Sequence, residues 1–247
     1  VRERLLYRML ESVESTDDNE TYGVRQNIAR AYTLFGFYFN KAYYEKAEKI
    51  FNELIAVSPY LTTAYEDLNK QKIWQEDYPG AINIYKRELE ILPSTDNPYL
   101  NDPHRARVAS ITAQIFEGLG RAYFKVKDYG SALVYYKKGL RFDPYRATLY
   151  KNLADIYYVQ GRLDEAIAWN KRGFILNSAD YHWPLSLSLL YRDQKNLIKA
   201  KEYLDQAFKI APENQDLKNY YKEFNKLFFN VIASDRPARL GREGARQ

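Results

Sequence analysis

Cysteine is absent from all 247 residues, so disulfides and thiolate-held metals are excluded and the compartment stays open, cytoplasmic or extracytoplasmic alike. Histidine is nearly absent as well. His104 stands beside Asp102 and His182 beside Trp183, and no zinc-binding helix, serine elbow, glycine-rich phosphate loop or paired-carboxylate setting accompanies them. Asp102 and His104 read as a surface pair. The expectation is a chain without catalytic residues, metal or cofactor, hence not an enzyme. Glycine (11) and proline (9) are sparse and fall near breaks between periodic segments. The longest apolar stretches, residues 34–39 and 227–232, are far short of the ~20 needed to cross a bilayer, so no membrane span is expected. The sequence opens on Val1 with no basic-then-apolar leader, which reads as a processed chain or a piece of a longer one.

What the sequence does have is a ruler. Ala132, Ala166 and Ala200 lie 34 residues apart, and so do Tyr123, Tyr157 and Tyr191. Earlier in the chain Ala47 and Ala81 are again 34 apart, and Pro59, Pro93, Pro144 and Pro212 each close a unit 12 residues after its alanine. A period of this length signals stacked supersecondary units instead of one globular core. Inside each unit, apolar and small residues recur every three or four positions on both sides of a short polar break, the pattern of two amphipathic helices. In the unit from Ala113, Phe116, Leu119, Gly120 and Tyr123 form one stripe and Ala132, Tyr136 and Gly139 the other, with Lys127-Asp128 between them. Gly120 and Ala132 are small where antiparallel helices must approach. Most of the 24 tyrosines sit at or beside such positions, as amphipathic filler between helices.

These units resemble tetratricopeptide repeats, whose signature runs bulky residue, Leu, small residue, Tyr, then Ala, aromatic, Ala and Pro. The unit from Ala147 carries Tyr150, Leu153, Ala154, Tyr157, Gly161, Ala166 and Gly173; the unit from Tyr181 carries Leu187, Ser188, Tyr191, Ala200, Leu204, Ala207 and Pro212. Looser matches are Leu34, Tyr38, Ala47, Phe51 and Pro59 from Ile28, and Tyr65, Leu68, Ala81, Tyr85 and Pro93 from Thr62, where Asn69 and Lys72 break the pattern. The resemblance implies an all-α fold: a right-handed α-solenoid of five helix-turn-helix units with a C-terminal capping helix. On this reading residues 1–27 are an N-terminal helix and polar loop, 28–95 units 1 and 2, 96–112 an insertion loop and helix extension, 113–214 units 3 to 5, and 215–232 the cap. Residues 233–247 form an arginine-rich tail that reads as a disordered terminus or an appended expression sequence. Its four arginines against Asp235 and Glu243 supply +2 of the net charge of +5, which leaves the body only mildly basic; no nucleic acid is expected.

The resemblance also implies a groove lined by positions two, five, nine and twelve of each unit's first helix, which fall on one stripe. The partner-binding residues so assigned are Tyr32, Phe39, Glu66, Lys70, Glu117, Arg121, Phe124, Lys151, Asp155, Tyr158, His182 and Arg192. Aromatic anchors alternating with charge of both signs suit an extended peptide or a partner helix. The carboxylate-clamp set of chaperone adaptors is not reproduced, because Glu117 and Arg121 stand where lysine and asparagine would be expected. The reading is of a protein-protein interaction scaffold that binds a peptide or partner protein. Two alternatives stand beside it: head-to-tail assembly of this chain into a homo-oligomer or filament, and the soluble C-terminal region of a membrane-embedded polysaccharide polymerase or ligase.

Overall fold

In a computed structural model, residues 21–96 and 101–234 are described, and all their regular structure is helical. The N-terminal segment 1–20 and the tail from 235 lie outside the described residues, so the expectations for them stay where the sequence left them. Two compact units divide the chain, Val1–Pro144 and Tyr145–Gln247.

The first unit holds three antiparallel hairpins: α1 (Tyr22–Tyr38) with α2 (Ala42–Val57), α3 (Thr62–Trp74) with α4 (Tyr78–Ile91), and α5 (Asp102–Lys125) with α6 (Tyr129–Phe142). Small residues sit at the crossings for a steric reason. A Cβ on Gly120 would lie 2.4 Å from the Tyr136 ring and one on Gly36 2.6 Å from Tyr44, closer than carbon atoms can approach. Ala29, Tyr32, Phe35, Ala47, Phe51, Leu54, Tyr65 and Leu68 form a continuous core across the first two hairpins. A polar seam crosses it between α1 and α3. Gln26 Nε2 and Arg30 Nε donate to Asp67 Oδ2 at 2.7 and 2.6 Å, Thr33 Oγ1 donates to Gln71 Oε1, and Gln71 Nε2 to the Tyr44 carbonyl. These bonds satisfy side chains that would be costly to bury unpaired.

The second unit repeats the hairpin twice, α7 (Ala147–Val159) with α8 (Leu163–Leu176) and α9 (His182–Asp193) with α10 (Leu197–Ile210), and adds α11 (Gln215–Ser234) against α10. Leu149, Leu153, Ile156, Trp183, Leu187 and Leu204 are buried, and α11 contributes Leu217 and Phe224.

The turns inside four hairpins are alike. Glu76, Lys127, Gly161 and Lys195 all adopt left-handed backbone, with φ of 59°, 64°, 73° and 62°. Asp77, Asp128 and Asn196 follow three of them and cap the next helix by accepting from the backbone N–H three residues on. Positions 127, 161 and 195 keep the 34-residue step, while 76 to 127 is 51, one step plus the 17 residues from 96 to 112. The first hairpin departs. Its turn, residues 39–41, comes two residues before the place the ruler gives (75–77 less 34 is 41–43) and holds no left-handed residue.

Candidate functional site

The outward stripes of the first helices can be read one unit at a time. Two residues of turn shift rotate a helix face by about 200°, and this corrects the assignment in the first hairpin. Tyr32 is 9% exposed and belongs to the core, stacked on Tyr43 at 5.8 Å with the Lys46 ammonium 5.3 Å from its ring. Phe39 is the C-cap residue of α1, packed on Phe35 and Tyr38. Arg30 and Phe37 take the outward places instead: Arg30 reaches Asp67, and Phe37 meets Trp74 at 5.1 Å between ring centres.

Further along the first unit, Glu66 and Lys70 of α3 and Arg121 of α5 converge on a cavity of about 100 Å³, completed by Tyr85 and Glu88 of α4 and by Ile111, Gln114 and Ile115 of α5. Lys70 Nζ lies 3.4 Å from Asp67, and Arg121 hydrogen-bonds the Tyr85 hydroxyl. Glu117 is buried and acts electrostatically on Tyr85. Phe124 packs on Tyr129 of its own hairpin, 5.5 Å between ring centres, away from the cavity. Glu88 is the residue the sequence reading missed. It is 1% exposed, and burial, with the Glu66 carboxylate adding to it, raises its pKa to about 8.

In the second unit, Asp155, Tyr158 and Arg192 come together around a concavity of about 200 Å³ with Asn170, Ser186, Leu189 and Asp193. The Tyr158 hydroxyl donates to Asp193 Oδ2 at 2.9 Å and ties α7 to α9; Arg192 Nη1 lies 3.4 Å from the Tyr220 hydroxyl and ties α9 to α11. Both tyrosine hydroxyls titrate above their usual range, Tyr158 through its bond to Asp193 and Tyr220 through burial. Asp155 is open to solvent, yet the walls displace enough water to raise its pKa, with Lys151 pulling the other way. A second hollow of about 240 Å³, lined by Tyr181, Leu185, Leu189, Leu217 and Tyr220 with Asn214 and Asp216, lies on the other side of Leu189. His182 is held by Asp180, whose Oδ1 takes the His182 N–H at 3.0 Å and meets Nδ1 at 2.6 Å. Its ring sits 4.0 Å from Tyr181, so it shapes the helix start beside the hollow.

His104 is engaged in the same way by Asn101, the N-cap of α5, and not by Asp102. Among the described residues no group of three or more His, Asp or Glu gathers as metal ligands, and no helix is long and apolar enough to cross a membrane.

Small residues at helix crossings, a repeated left-handed turn and a 34-residue step describe a known architecture, and family models described as tetratricopeptide repeat match residues 123–174 and 185–214. The chain carries tetratricopeptide repeats over those residues. A TPR repeat-containing protein of Methanocaldococcus jannaschii is 26% identical over 80% of this chain, and human DnaJ homolog subfamily C member 7 is 25% identical over 57%. The chain spans about a third of the length of these curated relatives, 34% and 28% respectively. Among solved structures, the C-terminal part of a TPR repeat-containing protein from Cytophaga hutchinsonii superposes with a TM-score of 0.62 at 17% identity, covering 84% of this chain and 74% of that one. YrrB, described as a TPR protein with an unusual peptide-binding site, gives 0.54 at 17% identity over 88% of this chain and 97% of its own. At such identities the likeness concerns the fold, the all-α helix-hairpin solenoid class. Tetratricopeptide-repeat proteins serve in general as interaction scaffolds for proteins and peptides.

Proposed function

We propose that this chain is a non-enzymatic scaffold whose second unit holds an extended segment of a partner protein along α7, α9 and α11. The observation that carries this reading is the pair of hollows on either side of Leu189, about 200 and 240 Å³, each large enough for one apolar side chain. Asp155, Tyr158 and Arg192 rim the first hollow with an acceptor, a hydroxyl and a cation, suited to a peptide backbone and to register. The helix-hairpin relatives support the class of partner, since peptide binding is recorded in the description of YrrB. Catalysis has no support in the side chains assembled here.

The test is peptide selection by display against the chain, followed by calorimetry on the winners. Leu189→Asp puts a carboxylate between the two hollows and is expected to weaken binding by roughly 30-fold or more, the loss of a central anchor. Ile198→Ser, at a position 72% exposed on α10, should leave affinity unchanged. Equal affinity of selected peptides for the parent and Leu189→Asp chains refutes this site.

A further inference from the structure

On the 34-residue ruler, Glu88 occupies the place of Leu54, Gly139, Gly173 and Ala207 in the other units, and Asn69 the place of Phe35, Gly120, Ala154 and Ser188. Both positions are places where helices pack closely, as Gly120 does on Tyr136 and Gly173 on Trp183. In the second repeat alone an amide and a carboxyl face each other there: Asn69 Nδ2 donates to Glu88 Oε2 at 3.5 Å. Both side chains are 1% exposed. The pairing is incomplete, because Glu88 Oε1 and Asn69 Oδ1 are buried without any hydrogen-bond partner. An orphaned buried acceptor is expensive, the more so when charged.

Glu88 lines the cavity that also receives Glu66 from α3. The groups facing it are Glu66 and Lys70 on α3, Tyr85 on its own helix, and Gln114 and Arg121 on α5, with Glu117 behind Tyr85. Lys70 lies against Asp67, and the Arg121 guanidinium is beside the neutral Tyr85 hydroxyl. Glu66, by contrast, has no ion pair or hydrogen bond among the described residues, and its charge acts on Glu88 as a repulsion. What is missing is therefore a donor carrying positive charge. A volume of about 100 Å³ admits the tip of one side chain and little more.

We propose that this cavity is a recognition pocket for a cationic side chain, lysine or arginine, of a bound protein segment, with Glu88 Oε1 and the Glu66 carboxylate as its acceptors. The proposal rests on the scaffold reading and specifies the partner at the first unit. Glu66, Lys70, Gln114 and Arg121 are all first-helix residues, so the pocket opens on the same kind of face that the second unit offers. An entering ammonium or guanidinium completes the acceptors and cancels the repulsion between the two carboxylates.

The experiment uses side-chain mimics and needs no knowledge of the partner. The ¹⁵N- and ¹³C-labelled chain is titrated with n-butylammonium, n-butylguanidinium and, as the anionic control, butyrate, with amide shifts and the Glu88 carboxyl resonance followed by NMR. A cation is expected to move amides around Glu66, Glu88 and Arg121 saturably, and to lower the pH at which Glu88 titrates. Because binding needs the ionised carboxylate, affinity should fall about tenfold for each pH unit below about 8. Neither histidine lines the cavity. Glu88→Gln, an isosteric neutral change, should abolish the response while far-UV circular dichroism stays the same. Saturable shifts with butyrate in place of the cations, or cation shifts that persist undiminished in Glu88→Gln, overturn the proposal; so does the absence of any saturable response. Peptide binding lost in Leu189→Asp but no response here would sink the pocket and leave the scaffold reading standing. The reverse pattern would sink the second-unit site and keep the pocket.

Discussion

Replacing Glu88 by glutamine is expected to stabilise the protein, and by an amount that grows with pH. The folded chain holds the Glu88 proton up to about pH 8, whereas an unfolded glutamate releases it near 4.5. Below the lower value both states carry the proton, and between the two only the folded state does. Deprotonation of the unfolded state therefore drains stability as pH rises through this window, and the loss ends above the folded value. The slope approaches ~1.36 kcal/mol per pH unit. Across the full window of 3.5 units that is about 5 kcal/mol, with about 3 kcal/mol already lost at pH 7. A native domain has only ~5–15 kcal/mol in total, so the effect should be plain. Glutamine keeps an oxygen for Asn69 Nδ2, offers an N–H toward the unpartnered Asn69 Oδ1, and has no proton to lose. Urea denaturation of both chains from about pH 5 to about pH 9, followed by circular dichroism, gives the difference in stability at each pH. Near pH 5 the two should be nearly equal, and near pH 9 the variant should lead by several kcal/mol. Parallel profiles across the range, or a variant less stable at high pH, would refute the buried-carboxyl reasoning.

Three other substitutions test the packing and the turns. In Gly173→Ala the new methyl would meet the Trp183 ring at 2.2 Å, and Trp183 is buried. Overpacking of about 1–3 kcal/mol exceeds the ~1 kcal/mol that alanine gains over glycine in a helix, so a lowered melting temperature is expected; an unchanged or raised one would mean the ring can yield. Lys127→Gly relieves a left-handed lysine at the place where the fourth hairpin already has Gly161. It should raise stability by up to about 1 kcal/mol, and the reciprocal Gly161→Lys should lower it by a similar amount. Differential scanning calorimetry of the pair checks both signs.

Much of this was legible in the sequence for a physical reason. Repeat stacking demands small residues at crossings and apolar residues on two stripes, and those demands recur at fixed spacing, so Gly120, Ala132, Tyr136 and Leu153 announced their burial. Along the later first helices the stripe lies partly on hollows, Glu66, Lys70 and Arg121 at one and Asp155, Tyr158 and Arg192 at another, while Glu117 is buried and Phe124 packs on Tyr129. It failed at Tyr32 and Phe39 because the register of a helix face depends on turn length, and the first turn comes early without any glycine or other left-handed residue to mark it. Glu88 escaped notice for a different reason. Attention rested on the first helix of each unit, while the informative anomaly was a charged residue at a small-residue place in the second, opposite an Asn69 already recognised as irregular. Tyr220 was out of reach, since its meeting with Arg192 depends on how α11 docks.

The early first turn bears on how freely such a gene can gain or lose modules. Between Gly161 and Lys195 a segment of 34 codons could be deleted or duplicated and like would be spliced to like, with every downstream face keeping its bearing. Between the first turn and the second the interval is 36, residues 39–41 against 75–77. A recombination event that treated the opening hairpin as interchangeable would roll its leading helix by more than half a revolution, driving Arg30 inward and Tyr32 out to water. That hairpin is thereby tied to its neighbour, unlike the modules on either side of Gly161 and Lys195.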